Sequence, residues 1–131
     1  MSAARGSSPT PGTPTPPGAS AGDLIFTAGA CPLDKQGKVV APGDLIAQTR
    51  QALANLRTAL EDSAAAIEDV VKTTVYVASS DRGELAAAFD EVAAFFGDHD
   101  VPSTLLGVAV LGYRDQLVEI EAIAVQPRPA R

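Results

Sequence analysis

Val70-Val71-Lys72-Thr73-Thr74-Val75-Tyr76-Val77 is the stretch on which the fold turns. Six of its eight residues are β-branched, which restricts χ1 and favours a pleated strand. Helical patterns flank it on both sides. Upstream, Leu45, Ile46, Thr49, Leu53, Leu56 and Leu60 fall on one stripe, with Gln48, Arg50, Gln51, Asn55 and Arg57 placed off it. Asp44, after the Pro42-Gly43 break, is positioned as its N-cap. Downstream, Ser79-Ser80-Asp81 offers caps for a second helix with Leu85, Phe89, Val92 and Phe96 on its stripe. Gly97 supplies the stop.

Further outward, Asp23-Leu24-Ile25-Phe26-Thr27-Ala28-Gly29 reads as a strand ended by glycine, and Asp34-Lys35-Gln36-Gly37-Lys38 as a turn. Two closing strands are expected at about Ser103–Leu111 and Leu117–Val125, joined as a hairpin near Gly112-Tyr113-Arg114-Asp115. The order β–α–β–α–β–β implies an α+β fold, a single sheet with two helices on one face.

Composition narrows the function. The chain has 131 residues and a formal charge of −6, but its ends differ from its middle. Residues 1–22 are almost wholly Pro, Gly, Ser, Thr and Ala and read as a flexible leader. Residues 23–127 form the domain, and 128–131 a short tail. Between Asp23 and Val125 there are 7 Lys/Arg against 16 Asp/Glu, a balance of −9. Such a domain offers no electrostatic footprint for a phosphate backbone, so nucleic acid is not an expected partner. No run approaches the ~20 apolar residues of a membrane span, and no apolar signal core begins the chain. A single cysteine, Cys31, and a single histidine, His99, leave no residues for a structural metal cluster. The expectation is a cytoplasmic protein with no metal or cofactor.

Thr104-Leu105-Leu106-Gly107-Val108-Ala109-Val110 is apolar on both alternating faces. Two helices cover only one side of a sheet, so copies of the chain are expected to cover the other.

Chemistry concentrates in the last strand. Glu119 and Glu121, at i and i+2, share a sheet face with Cα atoms about 6.5–7 Å apart. Partly buried at an interface, two such carboxylates would raise one another's affinity for a proton and provide a general acid/base; exposed, they are ordinary surface acids. Ser103 and Thr104, at a strand entry after Pro102, could offer hydroxyls to a ligand. Gly29 could present backbone N–H groups, Tyr113 is a rim residue, and Cys31 reads as a small buried hydrophobe. His99, between Asp98 and Asp100, reads as a loop residue.

Four blocks resemble the Rid (YjgF/RidA) family. They are Asp23–Gly29 with Pro32-Leu33-Asp34, then Gln48-Thr49-Arg50-Gln51-Ala52-Leu53-Ala54-Asn55-Leu56, then Asp69–Val77, and finally Glu119-Ile120-Glu121-Ala122-Ile123-Ala124. The resemblance implies a chorismate-mutase-like subunit in a homotrimer, with small-molecule clefts between neighbours and no cofactor. It also implies a deaminase-type hydrolase acting on reactive imines and enamines, with Glu119 as the catalytic glutamate and Gly29 in the cleft wall. The family's substrate-gripping arginine and N-terminal tyrosine have no counterpart here: Pro102 or Ser103 stands in the arginine's place. Ser103, Thr104 and Arg114, in a lengthened loop, become the expected substrate contacts, and 2-imino acid specificity is expected to be altered. The alternative is a trimer that binds a metabolite without turning it over. A ribonuclease, which some family names suggest, ranks last given the acidic domain and lone histidine.

Overall fold

The structure is a computed structural model that describes residues 16–126. The sheet runs in the order β1-β2-β5-β3-β4. Its strands are β1 (Gly18–Ala21), β2 (Leu24–Thr27), β3 (Val70–Val77), β4 (Ser103–Gly107) and β5 (Val118–Val125). Two helices, α1 (Leu45–Asp62) and α2 (Arg82–Phe96), connect β2 to β3 and β3 to β4. The β3–β4 pair is parallel and every other pair antiparallel, so the sheet is mixed.

Two sequence expectations are corrected. The folded part begins before Asp23: Gly18–Ala21 pairs antiparallel with Leu24–Thr27 across a tight turn. Small residues carry no hydrophobic pattern, yet their backbone satisfies the edge of β2 regardless. Most of the Pro-rich leader, and the 128–131 tail, lie outside the described residues. The second correction concerns the closing strands, which do not form a hairpin. β4 stops at Gly107, because its partner β3 ends at the matching Val77, and β5 crosses to lie between β2 and β3.

Between sheet and helices lies the core. β5 alternates strictly, with Val118, Ile120, Ala122 and Ala124 buried against the helices. β3 contributes Val75 and Val77, α1 contributes Leu53, Leu56 and Leu60, and α2 contributes Val92 and Phe96. A register shift between Val70 and Lys72 leaves Val71 as the extra residue of a bulge, with its side chain exposed. Asp44 caps α1 as its position suggests, its Oδ1 accepting from the Ala47 N–H at 3.0 Å. Replacing it by Ala leaves that donor unpaired and is expected to cost about 1 kcal/mol, read as a lower urea midpoint with unchanged m-value. Gly97 ends α2 at φ 59°, a conformation that a side chain would strain.

On the opposite face of the sheet, the register sets Leu24 and Phe26 beside Val125 and Ile123. Tyr76 and Thr74 lie beside Glu119 and Glu121, and Thr104 beside Thr74. Leu24, Phe26, Val125 and Leu106 are each about two-fifths exposed, and neither helix packs there. No helix among the described residues is long and apolar enough to cross a membrane.

Candidate functional site

The site is built where the segment after β2 runs against β5. Ala30 donates to the Ile120 carbonyl at 2.7 Å and accepts from the Ile120 N–H at 3.1 Å. This isolated bridge sets Gly29 and Cys31 on either side of the neighbouring Glu119. The Cys31 thiol donates to Glu119 Oε1, with Sγ 3.3 Å away, and Gln116 Nε2 donates to the same oxygen at 3.2 Å. Glu119 Oε2 points over Gly29, so closely that a Cβ there would overlap the carboxylate. Gly29 is thus required by close approach, not by a left-handed backbone.

Two amides on α1 hold the two loops of the site. Asn55 Nδ2 donates to the carbonyls of Cys31 and Leu33, at 2.8 and 2.9 Å. Gln48 Nε2 donates to the Asp115 carbonyl at 2.9 Å, and Gln48 Oε1 accepts from the Leu117 N–H at 2.8 Å. Seven residues apart, they sit two turns along one helix and share a face. The hydrophobic stripe placed both off the packed face; in the structure Gln48 is fully buried and Asn55 half-buried. Their polarity serves loop backbone that would otherwise lack partners inside the fold.

Gln116 and Cys31 were not singled out for chemistry by the sequence. Gln116 is buried at 4% exposure and uses every polar atom: its Oε1 accepts from the Tyr113 N–H, and its Nε2 also donates to the Val118 carbonyl. Its position three residues before Glu119 was the only available signal. Cys31 is half-buried rather than buried, and burial followed by the neighbouring Glu119 charge pushes its thiol up to about 12. A thiol free of these neighbours, as in the unfolded chain, ionises near 9.0. Stability from the protonated thiol is therefore fully present below pH 9 and is lost as pH rises from 9 towards 12. Replacing Cys31 by Ala is expected to flatten the alkaline fall in melting temperature across that window, relative to the wild-type chain.

Glu121 takes a separate partner. Tyr76 Oη donates to Glu121 Oε1 at 2.7 Å, and that bond pushes the phenol up from its ordinary value. The two carboxylates share a sheet face, as their spacing requires, but each is organised by its own donor.

The remaining expected contacts separate. Thr104 lies on the open face with Glu119 and accepts from Lys72 Nζ at 2.6 Å. Ser103 lies on the helix face, its hydroxyl 2.5 Å from Thr73 Oγ1 and 3.1 Å from the Val101 carbonyl, and it lines a cleft of about 220 Å³ with Phe89, Phe96 and His99. Alternation along β4 prevents Ser103 and Thr104 from serving one pocket on this subunit. Arg114 is exposed in the loop that carries Gln116, and among the described contacts its guanidinium touches neither carboxylate. His99 is a structural tie, its Nε2 2.7 Å from the Val70 carbonyl.

A family model for Endoribonuclease L-PSP matches residues 7–126. The chain belongs to this family, the YjgF/Rid family. Within the family it is 37% identical over 113 residues to the 2-iminobutanoate/2-iminopropanoate deaminase of Escherichia coli, covering 83% of this chain and 84% of that one. Among solved YjgF/Rid folds, the E. coli YjgF gene product superposes with a TM-score of 0.76 at 36% identity, covering 91% of this chain and 93% of that one. E. coli TdcF, solved with bound serine, superposes with a TM-score of 0.75 at 30% identity, over 87% and 89% of the two chains. The mixed five-stranded sheet with two helices on one face is the Rid fold that the sequence resemblance implied.

Proposed function

We propose that the chain forms a homotrimer whose inter-subunit clefts hydrolyse small reactive imines or enamines. The observation that carries this reading is the Glu119 carboxylate, tethered through Oε1 with Oε2 left over Gly29. A carboxylate oxygen that no donor among the described residues engages is placed to accept a proton from water. Water then adds to the C=N carbon, and its departing proton reaches the nitrogen. Expulsion of ammonia forms the carbonyl, so imine plus water gives ketone or keto acid plus ammonia. The deaminase named above, and serine bound in TdcF, support a small amino-acid-derived substrate.

The open sheet face supports the assembly. Leu24, Phe26, Ile123 and Val125 form one apolar cluster by register, and burying such a patch drives self-association. Light scattering at micromolar concentration is expected to give three times the chain mass, and a monomer would defeat the reading. Thr104 would meet substrate from the open face. Lys72, bonded to it, would bring a positive charge in place of the missing arginine. An ammonium is a point charge without the guanidinium's fork, so substrate carboxylates would be held less rigidly than by an arginine.

The assay follows imine decay after an amino-acid oxidase reaction, at saturating oxidase and with semicarbazide as the competing trap. Faster loss of imine with the protein than with buffer supports the function. No acceleration with any imine rejects it in favour of a binding trimer, the reading that Pro102 and Ser103 in the arginine's place would favour.

A further inference from the structure

We propose that Gln116 and Cys31 are positioning residues that fix Glu119 through its Oε1 and leave Oε2 as the single acceptor for the reacting water. This deepens the hydrolase reading above and rests on it.

The geometry is convergent. Two donors from different segments, one before β5 and one after β2, reach the same carboxylate oxygen at 3.2 and 3.3 Å. Gln116 has no freedom to do otherwise. Its amide oxygen holds the Tyr113 N–H, its amide nitrogen is split between the Val118 carbonyl and Glu119, and the side chain is buried. A glutamine so constrained sets the direction of its N–H bonds by its own burial, which is how a supporting residue fixes a reacting one. Cys31 closes the other side. Its sulfur lies 3.5 Å from the Gly29 carbonyl and 3.3 Å from Glu119, two acceptors that outweigh the Gln116 N–H nearby and favour the proton on sulfur. The thiol therefore serves as a donor rather than a nucleophile.

Both loops are themselves clamped to α1, Cys31 by Asn55 and the turn before Gln116 by Gln48. Helix, loops and carboxylate form one connected polar network in which each member has a partner. The carboxylate is thereby held against rotation about its last bond, and a free Glu119 would present either oxygen, or neither, to the water.

The test uses the full-length chain with Gln116→Met, Cys31→Ala and Cys31→Ser. In the imine assay, Gln116→Met and Cys31→Ala are each expected to lower kcat by about tenfold, the scale of one lost hydrogen bond to a charged group, while KM changes less than twofold. Cys31→Ser keeps a donor and is expected to lose less than Cys31→Ala. Equal losses in Ser and Ala variants, or losses confined to KM, would overturn the proposal. A second measurement does not need activity: thiolate absorbance near 240 nm, read against Cys31→Ala, in wild type and Glu119→Gln. The wild-type thiol is expected to stay protonated through pH 10, and Glu119→Gln to bring its ionisation back towards pH 9. If wild type is inactive on every imine but the thiol responds to Glu119→Gln, the hydrolase reading fails and the held carboxylate stands. An unresponsive thiol rejects the contact itself.

Discussion

Glu119→Gln is expected to lower imine turnover by about 10²–10⁴-fold, the range for removing a general base, with no loss of thermal stability. The two side chains have nearly the same shape, so the core and the β3–β5 ladder are undisturbed. What changes is chemistry: an amide oxygen is a poor proton acceptor at neutral pH, and the amide nitrogen cannot take the place of Oε2. Glutamine also reverses one half of the local network. If its nitrogen faces Gln116 Nε2, two donors oppose each other, so the amide oxygen must take that side. Its NH₂ then points over Gly29, where the water's proton was to be received. Single-turnover decay of imine against a buffer control measures the effect, and circular dichroism checks the fold. Retained turnover would remove Glu119 from the reaction.

Gly29→Ala is expected to cost about 100-fold in turnover through displacement of Glu119, although residue 29 itself never meets the proton. The added Cβ would fall on the carboxylate, with Glu119 Cδ at 2.6 Å and Cγ at 2.8 Å. Something must move. Either Glu119 swings away and gives up Cys31 and Gln116, or the backbone around Ala30 retreats from Ile120 and breaks the bridge. Backbone strain is not the cause, because the local conformation accepts an L-residue. This makes the effect separable. In a Glu119→Ala background the same Gly29→Ala change meets no carboxylate and is expected to cost nothing further, a non-additivity that a double-mutant cycle on turnover and melting temperature reads directly. Additive losses would mean that Gly29 acts elsewhere.

Much of the fold was legible because its signals are periodic. The β-branched run at 70–77, the two helical stripes and the period-two alternation of Val118 to Ala124 each encode a local geometry and the face it buries. The caps were equally readable, since Asp44, Asp81 and Gly97 act within a few residues of themselves. β1 was not legible, because Gly18–Ala21 is held by backbone pairing that small side chains do not announce. The expected closing hairpin does not form for a related reason. Sequence adjacency suggested that β4 and β5 pair, but two strands reach each other only if no better partner intervenes, and β3 takes both.

The site divides in the same way. Glu119 and Glu121 on one face follow from strand geometry alone, and Gly29 and Glu119 were brought together by resemblance. Their actual contact, and the separate partner of Glu121, come from the register of β5 between β2 and β3. Ser103 is expected at the pocket as a strand-entry hydroxyl in the arginine's place, and on this subunit alternation turns it to the helix face. Gln48 and Asn55 fall off the hydrophobic stripe, and that periodicity is blind to a buried amide that serves a loop. Gln116 and Cys31, 85 positions apart by residue number, meet only at one carboxylate oxygen.

The sequence by itself determined the α+β class, the two helices and their caps, the strand that carries the glutamates and the acidic balance of the domain. These depend on interactions within one element or on a sum over the chain. Tertiary structure alone decided the strand order, the inclusion of β1, and which donors hold Glu119. Those depend on contacts between distant segments, whose spacing in the chain carries no trace of their distance in space.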